Sequence, residues 1–152
     1  MNTSAATAGT RNRNAWSWCA LTIILALVVG VGLASGTILH HVVQTLPLWP
    51  VVLFARRPAV KWFGLPCFLF WLAVMVMIWL FLLHLPSPIN GHFSPVEVAM
   101  TLIVGVACVV ALASSVRIRG ARLGPAAIGF LLGAGAQYVC FRISQFPGIW
   151  NR

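Results

Sequence analysis

The sequence predicts an all-α integral membrane protein, a polytopic helical bundle, on the strength of two observations. First, the stretch from Cys67 to Leu83 is apolar without a break. A helix of about 20 apolar residues covers the roughly 30 Å hydrocarbon core of a bilayer. Second, the chain is 61% hydrophobic and only 7% charged, whereas soluble domains carry about 25% charged residues. The lipid bilayer is therefore the expected solvent and the first expected partner.

Hydropathy divides the chain into one transmembrane domain, residues 16–146, with a tail at each end. The tail 1–15 consists mainly of small and polar residues that offer little to pack, so it is predicted to be disordered and cytoplasmic. Residues 147–152 form a C-terminal tail. Four full-length transmembrane helices are predicted at about 19–39, 62–85, 96–116 and 124–143.

A short fifth segment, about 40–55, lies between the first two long helices. It contains Pro47 and Pro50, and proline breaks or kinks a helix. Taken from Ile38 to Ala55, its roughly 18 residues would rise only about 27 Å if helical throughout. Two interpretations stay open, a short kinked crossing and a helix lying in the membrane interface.

The arrangement of positive charge favours a crossing. Cytoplasmic loops of membrane proteins carry the excess of lysine and arginine, and residues 85–94 carry neither. With five segments, all the basic clusters lie in the cytoplasm, the N-terminus is cytoplasmic and the C-terminus lies outside a cell membrane. Without the crossing, the N-terminus lies outside. The clusters are Arg11 with Arg13, Arg56 and Arg57 with Lys61, and Arg117 and Arg119 with Arg122.

Two other interpretations fit the sequence less well. The first apolar run resembles a signal peptide, with Leu21–Val29 as its apolar core, but it continues past the potential cleavage site at Gly32–Ala34. The net charge of +9 is typical of nucleic-acid binding in general. Here the cations flank apolar runs, which indicates membrane orientation and excludes nucleic acid as the expected partner.

Small residues four positions apart predict where helices pack closely, because they let the backbones approach each other. The central helix 62–85 is bulky, so it is expected to face lipid or a partner protein. The predicted packing residues are Gly30, Gly32 and Gly36 in the first helix, Gly105 in the third long helix, and Gly129, Gly133 and Gln137 in the last.

Under the five-segment topology, all histidines and the single acid fall on the outer face. Histidine and carboxylate ligands suit Zn²⁺ or Cu²⁺, and two histidines can ligate haem. Candidate metal ligands are therefore His40, His41, His84 and His92. Ser94 and Glu97 form a capping box at a helix start, which already gives Glu97 a structural role. The stronger expectation is that no metal or haem is bound.

No catalytic constellation is found, since the chain has no aspartate and one glutamate. An enzyme is not expected. The leading hypothesis is a structural or accessory membrane subunit that acts through helix packing, as a homo-oligomer or in a larger complex. The alternatives are a metal- or haem-binding protein and a small transporter or channel. The channel would have a polar path lined by Thr101, Cys108, Ser115 and Gln137.

Overall fold

The computed structural model describes residues 3–55, 57, 59–86, 93–116 and 123–150, and their side chains from Asn14 onward except at 123 and 150. About 88% of it is helical and the described part contains no strand, so the all-α prediction is confirmed. Helix α1 (Thr3–Leu25) continues through a π-helical turn (Ala26–Val31) and a last α-helical turn (Gly32–Ser35). The other helices are α2 (Ile38–Thr45), α3 (Trp49–Leu53), α4 (Val60–Leu82), α5 (Pro95–Val116), α6 (Leu123–Ser144) and α7 (Pro147–Trp150), with a 3₁₀ turn (Leu46–Leu48) between α2 and α3.

Four helical stretches are long and apolar enough to cross a membrane, close to the four that were predicted. Their mean hydropathies are 2.3, 2.5, 2.5 and 1.4 in chain order. The described structure is therefore compatible with a multi-pass membrane protein. The stretches are Asn14–Ser35, Val60–Leu82, Pro95–Val116 and Gly124–Ser144.

The N-terminal segment differs from its prediction. Helix α1 begins at Thr3, where an irregular tail is expected from the composition. Ala5, Ala6 and Ala8 lie in this segment, and alanine has the highest helix propensity. Extending an existing helix also avoids the cost of nucleating a new one. The apolar helix that follows therefore supplies the nucleus, and the alanines extend it backwards.

The first helix ends earlier than predicted, at Ser35 rather than at residue 39. Gly36 follows with φ of +70°, a left-handed conformation that glycine adopts at helix C-termini without steric cost. A Cβ at Gly36 would meet nothing within 4 Å. Gly36 therefore ends the helix, and no packing neighbour lies beside it among the described residues of this chain.

The contacts between the long helices fix their relative directions. The Trp16 indole Nε1 donates to the Ala111 carbonyl oxygen, 2.7 Å away, and Gly30 lies against Met100. Helices α1 and α5 are therefore antiparallel. Trp16 also packs edge-on against Phe68 of α4, with ring centroids 5.4 Å apart. Because α4 and α5 are joined end to end, α1 and α4 run in the same direction.

The short segment Ile38–Leu53 runs the opposite way, along the length of the bundle. At its start, His40 bonds to the backbone of Ser144, at the end of α6. Near its finish, the Val52 carbonyl oxygen accepts a hydrogen bond from the Ser17 hydroxyl at 3.2 Å. The segment thus returns the chain from one end of the bundle to the other, in the direction that the predicted short crossing requires.

The two ends of the bundle differ in composition. We call the end that contains Trp16, Arg57 and Lys61 the basic end. The opposite end contains His40, His41, His84 and Glu97, and we call it the histidine end. Helices α1, α4 and α6 run from the basic end to the histidine end, and α5 runs back.

Helix α4 has one face inside the bundle, while Leu69 and Val76 are exposed on it, so its expected contact with lipid or a partner stays a prediction for those positions. It packs against both α5 and α6. Cys67, Phe68, Trp71 and Met75 are buried. The backbones of α4 and α6 approach closely where α6 offers a glycine. Gly133 of α6, for example, lies directly against the Phe63 carbonyl group and the Pro66 ring.

The other predicted packing glycines divide into two groups. Gly30 lies against the Met100 side chain, Gly32 against Ile38, and Gly129 against Trp62, so contacts within this chain account for their small size. A Cβ at Gly105 would meet nothing within 4 Å. The structure therefore places no close neighbour at Gly105.

Candidate functional site

A cavity of about 260 Å³ lies at the histidine end, between the π-helical turn, α2, α4, α5 and α6. Its walls are mainly apolar, and a small number of polar groups line one part of it. The polar lining consists of His40, His41, Gln44, Glu97, Thr101 and Gln145, and the apolar lining of Leu27, Val31, Trp71, Val74, Met75, Ile78, Phe93, Val104 and Phe141.

His40 is held by hydrogen bonds to both of its ring nitrogens. Nδ1 lies 2.8 Å from the Ser144 carbonyl oxygen, which can only accept, so Nδ1 is the donor. Nε2 lies 2.9 Å from the Gln44 amide nitrogen and therefore accepts. These two bonds fix a neutral His40 with its proton on Nδ1. His40 thus ties the start of α2 to the end of α6.

His41 and Trp71 differ from His40, because each contributes a buried nitrogen without a hydrogen-bond partner among the described residues. These atoms are His41 Nδ1 and Trp71 Nε1. Trp71 is only 3% exposed. A buried polar group left unpaired costs about 1–3 kcal/mol. The cavity therefore retains two unused hydrogen-bonding positions.

Polar groups of α5 in the cavity are largely engaged on their own helix. Glu97 Oε2 accepts the Ser94 N–H at 2.7 Å, and Ser94 Oγ accepts the Glu97 N–H at 3.3 Å. Both hydrogen bonds of the expected capping box are thus present. The Thr101 hydroxyl donates to the Val98 carbonyl oxygen at 2.7 Å. These two side chains therefore stabilise α5 as well as line the cavity.

The π-helical turn of α1 borders the cavity. The Gly32 N–H bonds to the Leu27 carbonyl oxygen, five residues back. Leu27 and Val31 from this turn form part of the lining. Such turns widen a helix locally and occur often at functional sites. Gly30, in the same turn, permits the close approach of Met100 from α5.

The predicted metal ligands are only partly brought together. His40 and His41 line the cavity with Glu97, but His84 is exposed, with φ of 57°, after the end of α4. His92 lies outside the described residues. Among the described residues, no group of three metal-ligating side chains is found. Because both nitrogens of His40 are engaged, ligation of a metal or haem by His40 would first break those bonds.

The four residues predicted to line a transport path do not come together. Thr101, Cys108 and Ser115 are buried on α5, which packs on α1 and α4. Gln137 is buried on α6, and its amide donates to the Gln44 carbonyl oxygen at 3.2 Å. Of these four residues, Thr101 alone lines the cavity.

Among the residues of the cavity that the sequence analysis did not assign to a site, Gln44 and Trp71 matter most. Gln44 had a local signal, since it follows His40 by four residues and so faces the same side of a helix. Trp71 had a weaker one, an indole donor in the middle of a long apolar stretch. No protein-family model, curated protein or solved structure matches this chain. The geometry of the cavity is therefore the basis for a functional proposal.

Proposed function

We propose that this chain is a multi-pass cell-membrane protein that binds a small, lipid-soluble molecule in the cavity at its histidine end. The observation that carries the proposal is an apolar cavity of about 260 Å³ with two unpartnered buried nitrogens in its lining. Small-molecule sites are mostly apolar with a few placed polar groups. An apolar cavity of about 150 Å³ already binds benzene, so there is room for a ring-sized group.

The surroundings favour a ligand that arrives from the lipid phase. Apart from α2, which belongs to the shorter apolar segment Ile38–Leu53, the helices that border the cavity belong to stretches long and apolar enough to cross a membrane. A charged ligand would have to be desolvated there at high cost. An uncharged apolar molecule partitions into the bilayer first and reaches the cavity between helices.

Charge supports an orientation in which the cavity lies in the outer half of the membrane. Arg57 and Lys61 lie at the basic end, where α5 ends and α6 begins, and Arg117, Arg119 and Arg122 come between these two helices in the sequence. By the positive-inside rule the basic end is cytoplasmic. The histidine end then lies outside, with the C-terminus near it and the N-terminus in the cytoplasm.

The test is to fill the cavity. Val74→Phe adds a ring to a half-buried residue of the lining, and Val76→Phe adds the same ring two residues away, where the side chain is exposed. Both variants and the wild type are purified in detergent, and binding of decylbenzene is measured by native mass spectrometry. Wild type and Val76→Phe should bind it, and Val74→Phe should bind at least tenfold more weakly. Equal binding by the two variants, or none by the wild type, would overturn the proposal.

A second candidate function is the structural or accessory role, with α6 as the contact helix. Among the four long stretches, α6 has the lowest mean hydropathy, 1.4, and the smallest buried share, 17%. It exposes Tyr138 and Gly135, and a Cβ at Gly135 would meet nothing within 4 Å. A partner helix on this face, from a second copy or from a larger complex, would cover these less apolar positions.

The corresponding experiment compares two exposed positions. The mass of the complex is measured by light scattering in mild detergent for the wild type, Gly135→Leu and Val106→Leu, which is exposed on α5. The wild type and Val106→Leu should be oligomeric or carry a partner, and Gly135→Leu should lose it. A wild type that is monomeric and co-purifies with no other protein would exclude this role.

A further inference from the structure

We propose that the ligand is an uncharged carbonyl compound whose oxygen accepts a hydrogen bond from the Trp71 indole. This inference rests on the proposed function and names the chemical class of its ligand. Two sources supply such a group in a membrane, the ester carbonyl of a bilayer lipid and a free ketone or quinone. The chemistry at Trp71 is the same for both.

The Trp71 indole nitrogen requires a hydrogen-bond acceptor on the ligand. Nε1 of Trp71 is a donor only, is buried, and finds no acceptor among the described residues. The Trp71 side chain lines the cavity, and buried tryptophan N–H groups usually have a partner. A ligand oxygen in the cavity would supply the missing acceptor.

The charge of the lining argues for a neutral acceptor. The only acidic residue of the chain, Glu97, lines the same cavity. A ligand carboxylate would be repelled by it and would have to be buried among apolar walls. A carbonyl oxygen accepts the same hydrogen bond without either disadvantage.

His41 adds a second polar position on another element, α2. Its Nδ1 is buried and has no partner among the described residues, whereas both nitrogens of the adjacent His40 are engaged. His40 therefore holds α2 in place and His41 is left to face the ligand. A second oxygen of the ligand, as in an ester or a quinone, would find a donor there in the tautomer that carries the proton on Nδ1.

The apolar walls specify the rest of the molecule. Met75 and Ile78 from α4, Val104 from α5 and Phe141 from α6 provide contacts for an aromatic or aliphatic body. With a volume of about 260 Å³, the cavity holds a ring and the first part of a chain, and the remainder of a longer chain would extend into lipid.

A matched pair of probes tests the carbonyl directly. Decylbenzene and 1-phenyldecan-1-one share one carbon skeleton and differ by a single CH₂ replaced by C=O. Their competition for the cavity is measured in nanodiscs of ether-linked phosphatidylcholine, which has no ester carbonyl. One net hydrogen bond corresponds to roughly threefold to tenfold in affinity, so the wild type should prefer the ketone by that factor.

Trp71→Phe keeps an aromatic wall and removes the donor, and Trp18→Phe is its control because Trp18 is 67% exposed and lies near the basic end. Trp71→Phe should bind the ketone and decylbenzene about equally, and its affinity for decylbenzene should differ from that of the wild type by less than about twofold. Trp18→Phe should behave as the wild type. The ¹⁵N–¹H indole signal that disappears in Trp71→Phe should shift when the ketone binds.

The two sources are distinguished without a probe. If lipid esters occupy the cavity, the Trp71 indole signal should differ between ester-linked and ether-linked nanodiscs. If it does not differ but shifts on addition of the ketone, a free carbonyl compound is the ligand. Decylbenzene binding that Val74→Phe blocks, without a ketone preference, would overturn the carbonyl inference and leave the proposed function standing. Absence of binding by both probes would overturn both.

Discussion

Replacing Gly133 by alanine should loosen the contact between α4 and α6. The added Cβ would collide with the Phe63 carbonyl oxygen and would lie 3.0 Å from Pro66 Cγ. A backbone group and a proline ring cannot move aside by changing rotamer, so the two helices must separate. A gap of about 0.5–1 Å removes a quarter to half of the dispersion energy of each atom pair it opens. Over this interface we expect a loss of about 2 kcal/mol, within the range of about 1–3 kcal/mol for overpacked cores.

Gly135→Ala is the matched control, two residues further along α6. A Cβ there would meet nothing within 4 Å, and alanine is the better helix former by about 0.5–1 kcal/mol. The free energy of unfolding is measured in mixed micelles by titration with sodium dodecyl sulfate. Gly133→Ala should be destabilised and Gly135→Ala should be unchanged or stabilised. Equal effects of the two substitutions would refute the close packing of α6 against α4 at Gly133.

Three further predictions concern hydrogen bonds. His40→Leu should destabilise the protein by about 1–3 kcal/mol because it leaves two buried groups unpaired. His41→Leu should change stability by less than about 1 kcal/mol. Thermal unfolding in detergent compares the two variants, and a larger loss of stability in His41→Leu would contradict the hydrogen bonds described for His40. Trp16→Phe removes a buried hydrogen bond of 2.7 Å and should lower the free energy of unfolding by about 1 kcal/mol. Trp18→Phe should not, so equal melting temperatures of the two variants would count against that hydrogen bond. Ser94→Ala removes a helix cap and should lower the free energy of unfolding by about 0.5–2 kcal/mol. Hydrogen exchange in the first turn of α5 should then be faster, and unchanged exchange would exclude a stabilising cap.

The long helices were predictable because hydropathy depends only on the local sequence. The helix over 96–116, for example, is found as Pro95–Val116, with the start that Ser94 and Glu97 indicate. The predicted end of the first helix is wrong because the pattern that includes Gly36 indicates packing and termination equally well. A glycine followed by a polar residue before a new apolar run is also the signal of a helix C-terminus.

The close packing of one face of α4 could not be predicted from its sequence, for a physical reason. Bulky side chains do not exclude close packing, because a large residue on one helix can fit against a small one on its neighbour. Close approach can also occur at the backbone, as where Gly133 lies against the Phe63 carbonyl group, 70 positions away in the chain. Neither residue shows this by itself, because pairing between distant segments is not encoded in the local pattern of either.

The cavity is a second feature that local sequence patterns do not predict. His41 comes from α2, Trp71 from α4 and Glu97 from α5. The sequence indicates that histidines and the acid share one end of the bundle, but the cavity requires the relative rotation of three helices. Those rotations follow from packing, which is why the sequence alone does not identify Trp71 as part of a site.

The most direct test of the five-segment bundle is whether the chain crosses the membrane between Ser35 and Arg57. Single-cysteine variants Ser35→Cys and Arg57→Cys, with the four native cysteines replaced by alanine, are treated in intact cells with a membrane-impermeant thiol reagent. Both positions are exposed, at opposite ends of the bundle. We predict that Ser35→Cys is labelled in intact cells and that Arg57→Cys is labelled only after the cells are opened. Labelling of both from the same side would contradict the five-segment bundle and, with it, the location of the cavity in the outer half of the membrane.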